Sequence, residues 1–182
     1  MLYVMRHGKT DWNEQRKLQG RTDISLNECG REMARKAAQE YKDVHFDICF
    51  CSPLLRARET AEIVLAGRNI EIRTDERLVE MSFGIYEGVK DAYQKKDSPV
   101  YTFFKDPLHY EGAENGETFE ELFARTGEFL KTEIEPRLEK GEDILIVGHG
   151  AMNSSIICQR KKLSLDKFWD AGIENCKLMR LV

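Results

Sequence analysis

Ile144-Leu-Ile-Val147 is the segment that most narrows the possible folds. Apolar residues in unbroken succession, bounded by Asp143 and Gly148, make a strand whose two faces must both be covered. A strand with one wet face would alternate apolar and polar residues instead. Leu2 to Met5 is a second such run; Phe46 to Phe50, interrupted only by Asp47, and the shorter Ile70 to Arg73 are read as two further strands. Helical signals separate them. Ser25-Leu-Asn-Glu28 and Thr118-Phe-Glu-Glu121 have capping-box spacing, which predicts one helix from Ser25 to about Tyr41 and another from Thr118 to near Pro136. Ser52-Pro53 predicts a third helix start, with Ser52 as cap and Pro53 at the first helical position. A further helix is expected after Gly150. A last strand is expected over Lys177 to Val182, with an edge open to pairing in a homodimer. Doubly buried strands alternating with helices predict an α/β fold, a three-layer α/β/α sandwich on a mostly parallel central sheet.

The 182 residues fit a single domain spanning 1–182. Residues 86–117 break the rhythm. Tyr93, Tyr101, Phe103, Phe104 and Tyr110 supply apolar surface there without a strand period, interrupted by Pro99 and Pro107. This stretch reads as a partly helical insertion, a lid over the carboxyl ends of the strands, with one or two of its aromatics facing the cleft. Lys plus Arg is 28 against 32 Asp plus Glu, a net charge of −4 that argues against a nucleic-acid partner. No apolar run approaches the roughly 20 residues needed to cross a bilayer. Arg6 and His7 come too early for a secretory leader. The cysteine count, 5, is odd and no C-x-x-C pair occurs, so reduced thiols and a cytoplasmic location are expected. One of Cys49 and Cys51 is expected to face the core.

The chemistry-bearing residues stand at the ends of predicted strands. Arg6-His7-Gly8 follows the first, Arg56 lies in the first turn of the helix after the second, Glu80 follows the third, and Gly148-His149-Gly150 follows the strongest. Open α/β sheets bind ligands outside the carboxyl ends of their strands, so these residues are candidates to converge. Arginine's planar fork matches the oxygens of a phosphate, and the helix starts after Ser52 and at Gly150 offer N–H donors to an anion. Phosphate binding alone does not call for two histidines. A neutral imidazole is also a nucleophile toward phosphorus, and Glu80 is the carboxyl group placed to protonate a leaving oxygen.

In order along the chain, these stretches resemble the signature of the histidine phosphatase superfamily, phosphoglycerate mutase-like branch. Arg6-His7-Gly8-Lys9-Thr10 with Asn13 resembles R-H-G-E-T-x-x-N, and Ser52-Pro-Leu-Leu-Arg56-Ala with Thr60-Ala61 resembles S-P-L-x-R-A-x-x-T-A. Leu78-Val-Glu80 with Phe83-Gly84 and Tyr86-Glu87-Gly88 resembles L-x-E-x-x-F-G-x-W-E-G. Leu18-Gln19-Gly20-Arg21, Gly116-Glu117-Thr118 and Val147-Gly148-His149-Gly150 complete the set. The resemblance implies His7 as the nucleophile that becomes phosphohistidine. It implies Arg6, Arg56 and His149 around the transferring phosphoryl group, and Glu80 as acid and then base. Asn13, Gln19, Gly20 and Gly150 would join the substrate site, with no cofactor and no metal. Lys9 stands where the family usually has Glu, Tyr86 where Trp is common, and Ser25 where Pro is common.

The expected activity is metal-independent hydrolysis of a small-molecule phosphate ester. A cofactor-dependent phosphoglycerate mutase and a non-catalytic phospho-ligand binding module are the alternatives, and chain length favours the compact phosphatases. His45 and His109 are read as structural. Cys29 and Arg35 have the C-x5-R spacing of cysteine-dependent phosphatases but fall inside a predicted helix, and Cys51 and Arg56 are one residue too close.

Overall fold

The computed structural model describes all of residues 1–182. Strand β1 (Leu2–Arg6) leads through the short helix α1 (Asp11–Glu14) and an extended loop into α2 (Glu28–Glu40). Strand β2 (Ile48–Cys51), helix α3 (Leu55–Val64) and strand β3 (Glu71–Thr74) follow. Helix α4 (Pro99–Lys105) lies between the short 3₁₀ turns Ala92–Gln94 and Pro107–His109. Helix α5 (Phe119–Phe129) continues through a π-helical turn, Leu130–Ile134, into α6 (Glu135–Glu139). Strand β4 (Ile144–Gly148), helix α7 (Gly150–Lys161) and strand β5 (Leu178–Arg180) complete the chain. No helix is long and apolar enough to cross a membrane.

The strands form one sheet in the order β3-β2-β4-β1-β5. The most apolar strand, β4, takes the centre, paired in parallel with β1 on one side and β2 on the other. β3 is also parallel, whereas β5 runs antiparallel at the edge. Alternate side chains feed two cores. Val4, Phe50, Ile144 and Ile146 meet Phe129, Ile134, Met152 and Ile156 on one face. Met5, Leu145 and Val147 meet Ala34, Ala37, Ala57 and Ala61 on the other. Helices α5 and α7 therefore cover one face and α2 and α3 the other, which is the layered α/β fold that the doubly apolar strands require. Cys49 and Cys51 are two apart on one strand, so they share a face, and both are fully buried against α3 rather than one alone. A third core gathers Phe103 and Tyr110 with Phe119 and Phe168, so the 86–117 stretch packs through its aromatics.

Three helix boundaries differ from the sequence expectation. The cap of α2 is Asn27, whose side chain accepts from Gly30 N (2.8 Å), and not Ser25. Leu26 is buried and its N–H is taken by Glu59 (2.7 Å), which holds the chain extended up to that point. α3 begins after Leu54 rather than Ser52; the Ser52 hydroxyl bonds His149 Nε2 (2.7 Å) and accepts from Leu54 N (3.3 Å) ahead of the helix. Its first N–H, from Leu55, is capped from a distance by Asp23 (2.7 Å). The helix opened by Thr118 does not stop near Pro136 but runs to Glu139. The wide turn at Leu130–Ile134 resets the hydrogen bonding, so Pro136 falls in a first turn, where a missing N–H costs nothing.

Ile146 is fully buried on the central strand. Ile146→Ala should lower unfolding free energy by about 2–5 kcal/mol, read from the urea midpoint at constant slope. A loss under about 1 kcal/mol would mean that this strand is not enclosed on both faces.

Candidate active site

The parallel ladder of β1 and β4 ends with Arg6 opposite Gly148, and His7 N donates to Gly148 O (2.9 Å). The residues that leave the sheet next are the two glycine-flanked histidines. Their rings meet at a centroid separation of 5.2 Å. Both are buried. His7 Nδ1 lies 2.6 Å from Gly8 O. A carbonyl only accepts, so Nδ1 carries the proton and Nε2 keeps its lone pair. His149 Nε2 bonds Ser52 Oγ (2.7 Å), while its Nδ1 is buried with no partner. Gly8 is required by a close approach within the protein: a Cβ there would lie 2.5 Å from Gly30 O. Gly8 N donates to Thr60 Oγ1 (3.0 Å), and Asn175 Nδ2 donates to His7 O (2.5 Å), so the strand end is tied down on two sides.

Arg56, in the first turn of α3, is fully buried. Its Nη2 donates to Gly20 O (2.6 Å) and its Nη1 to Thr22 O (2.8 Å). Arg6 Nη1 donates to Ile173 O (3.3 Å). In both arginines Nε is buried without a partner. Burial pushes the Arg56 guanidinium down to about 10, with Glu80 opposing the shift, so it stays charged at neutral pH. Glu80 follows the 3₁₀ turn Glu76–Leu78. Its Oε1 accepts from Met81 N and Met152 N (both 2.9 Å), and its Oε2 from Ala151 N (3.2 Å). The start of α7 is thus given to Glu80, and that of α3 to Asp23. Of the N–H groups expected to face a ligand, those of Leu55, Ala151 and Met152 are thus taken by protein carboxylates, while Gly150 lines the cavity.

Arg6, His7, Asn13, Gln19, Gly20, Arg56, Glu80 and Gly150 all line one cavity of about 230 Å³. His149 sits behind its surface, against His7. Asn13 Oδ1 accepts from Thr10 N (3.0 Å), which leaves the Asn13 amide N–H₂ to donate. The far wall is apolar: Leu18, Phe83, Tyr93, Phe104 and Trp169. Phe104 and Trp169 stack at 5.0 Å, and Trp169 Nε1 donates to Phe103 O (3.0 Å). Trp169, Ser52 and Asn175 were not foreseen as site residues. Ser52 and Thr60 stand within the Ser52–Ala61 motif, where Ser52 was read only as a helix cap and Thr60 had no role, whereas Trp169 and Asn175 belong to no periodic pattern.

An open, mostly parallel sheet with two histidines, two arginines and a glutamate at the carboxyl end of its parallel strands defines an α/β enzyme equipped for phosphoryl chemistry. Comparison with known proteins gives the family. The model of the histidine phosphatase superfamily (branch 1) matches residues 2–182, and the chain belongs to that superfamily. It is 28% identical over 176 residues to phosphoserine phosphatase 1 of Hydrogenobacter thermophilus, covering 96% of this chain and 82% of that protein. It is 34% identical over 173 residues to the 2,3-bisphosphoglycerate-dependent phosphoglycerate mutase of Parvibaculum lavamentivorans, covering 92% and 82%. Among solved structures, Bacillus stearothermophilus YhfR superposes with a TM-score of 0.87 at 33% identity, covering 97% of this chain and 88% of that one. In enzyme class the chain is a phosphoric monoester hydrolase.

Burial, reinforced by the charges of Arg56 and other neighbours, holds both His7 and His149 well below the usual histidine range, so both are neutral near pH 7. Unfolding restores the ordinary value of about 6.5, so below that pH the unfolded chain binds protons that the folded chain refuses. Stability should therefore be fully present above about pH 6.5 and fall as the pH drops, by at most about 1.4 kcal/mol per pH unit for each histidine. Urea titrations from pH 7.5 to 5 check this. His7→Gln and His149→Gln should each flatten the slope, and an unchanged slope in both would contradict neutral burial.

Proposed function

We propose that this protein hydrolyses small phosphomonoesters through a phosphohistidine on His7, without a metal or cofactor. One observation carries the reading: Arg6 Nε, Arg56 Nε and His149 Nδ1 are all buried without partners around a neutral imidazole. A buried donor left unpaired costs about 1–3 kcal/mol, and three such donors in one cluster fit an anion with several acceptor oxygens.

His7 Nε2 attacks phosphorus, and the bond to the leaving oxygen breaks in line. Arg6 and Arg56 offset charge on the equatorial oxygens. With the Ser52 O–H donating to His149 Nε2, the ring proton sits on His149 Nδ1 and faces the same oxygens. Glu80 Oε2 accepts a single hydrogen bond, so it is the oxygen free to take the acidic proton of a monoanionic phosphate ester and give it to the leaving group. The resulting carboxylate then takes a proton from water, the hydroxide attacks phosphorus, the P–N bond breaks, and phosphate leaves with His7 restored. Residues 86–117 act as the lid of a single domain. With Trp169 they wall the leaving-group end and favour an aromatic or otherwise apolar alcohol. The thiols, all unpaired, fit a cytoplasmic enzyme.

The mutase reading is favoured by the named mutase relatives. A mutase must also hold a second phosphate and a carboxylate. Outside the phosphoryl cluster the cavity offers Arg16, already paired with Asp91 (3.0 Å), and Lys17, whose ammonium lies 5.6 Å over the Trp12 ring. That lining supports hydrolysis, and phosphate release measured against 2-/3-phosphoglycerate interconversion separates the two.

His7→Ala should lower turnover of an aryl phosphate by about 10⁴-fold or more and abolish acid-labile label on the protein. Near-parental activity would remove His7 from the mechanism, and binding without turnover in the parent would leave a binding module. Glu80→Gln should cost about 10²–10⁴-fold on an alkyl phosphate but far less on p-nitrophenyl phosphate, whose leaving group needs no proton. Equal losses on both would remove Glu80 as the acid. Trp169→Ala should reduce kcat/KM about threefold to tenfold for naphthyl phosphate while sparing phosphoserine. Parallel losses would deny the aromatic wall any part in selection.

A further inference from the structure

Glu87 belongs to the Tyr86-Glu87-Gly88 motif and has no part in the chemistry above. Its carboxylate nevertheless makes an unusually complete set of bonds for a side chain outside the cavity lining. Oε1 accepts from Arg21 N (3.0 Å) and Phe83 N (3.1 Å). Oε2 accepts from Thr22 N (2.9 Å) and Thr22 Oγ1 (2.6 Å). Three of those donors belong to Arg21 and Thr22. Gly20 O, in the same peptide unit as Arg21 N, and Thr22 O, on the residue whose N–H and hydroxyl both bond Glu87, are the acceptors that hold Arg56 Nη2 and Nη1. One short turn thus faces two ways, with its N–H groups on Glu87 and its C=O groups on Arg56. Gly20 completes the fit. It has φ +56°, and a Cβ there would lie 2.1 Å from Glu87 Oε1, so only glycine lets the turn close onto the carboxylate.

We propose that Glu87 is a positioning residue for phosphoryl transfer: by clamping the 20–22 turn it fixes the two carbonyls that aim the Arg56 guanidinium at the phosphoryl site. This rests on the phosphatase reading and on Arg56 touching the phosphoryl group. The physical case is one of rigidity. A buried arginine with one long flexible stem keeps its orientation only if its acceptors do not move. Carbonyls of such a turn are free to move unless the residues that bear them are pinned from the other side. A carboxylate accepting four hydrogen bonds pins them, and glutamine in its place would turn an N–H₂ toward N–H donors.

The test is a double-mutant cycle between Glu87→Gln and Arg56→Lys, read as kcat and KM on p-nitrophenyl phosphate and as affinity for orthovanadate. Glu87→Gln should lower kcat and vanadate affinity by about 10- to 100-fold, because misplacing a charged group by about 1 Å has effects of that size. In the Arg56→Lys background the same change should cost less than about threefold, since the geometry it protects is already gone. Fully additive losses, or parental vanadate affinity in Glu87→Gln, would overturn the clamp. Should Arg56→Lys alone leave turnover and vanadate binding intact, the phosphoryl role of Arg56 fails first, and the clamp with it. If Glu87→Gln does not fold, Thr22→Val replaces it, removing only the 2.6 Å hydroxyl bond while keeping the side-chain shape. A smaller loss in vanadate affinity with an unchanged melting temperature would support the clamp, and a lower melting temperature with parental affinity would oppose it.

Discussion

Everything at the site depends on the parallel pairing of β1 with β4. The register that sets Met5 opposite Val147 and Arg6 opposite Gly148 makes both strands end at the same level. The next residue of each is a histidine, so imidazoles from opposite ends of the chain are delivered to one point by backbone hydrogen bonds alone. A slip of one residue would turn Arg6 to the other face of the sheet and separate the rings. The apolar character of Ile144–Val147, which forces that strand to the centre, is therefore also what assembles the chemistry.

Burying two guanidinium groups beside two imidazoles is electrostatically costly, and the fold offsets that cost with neutral and charged oxygens rather than with solvent. Arg56 leans on two backbone carbonyls and Arg6 on one. Glu80 supplies the nearby negative charge, and it is itself held by the N-terminal peptide groups of α7. Arginine retains its charge under these conditions and histidine does not. The site therefore separates its duties, with fixed positive charge from the arginines and a free lone pair from His7.

Much of this was legible in the residues. The unbroken apolar run of β4 gave the layered sheet. The order of the strand-end motifs gave the cluster of Arg6, His7, Arg56, Glu80 and His149. Less legible were features set by contacts between distant segments. Asp23 caps α3 and Asn27 caps α2, although Ser52 and Ser25 had the local spacing; the distant carboxylates of Asp23, on Leu55 N, and Glu59, on Leu26 N, help set those boundaries. The π-turn that lets the α5 helix pass Pro136 has no local signature. Trp169 reaches the cavity wall from a segment with no periodicity, so only the packing of Phe104 and Phe168 around it reveals its place.

The bond from His7 to the Gly8 carbonyl has a regiochemical consequence. An imidazole can be modified at either nitrogen, giving two positional isomers that differ in hydrolytic lifetime and in recognition by isomer-selective reagents. Here the backbone has spent one nitrogen as a donor. Any electrophile admitted to the cavity therefore meets a single reactive atom, and the adduct forms as the tele isomer alone, chosen by the peptide unit following the histidine before any substrate arrives.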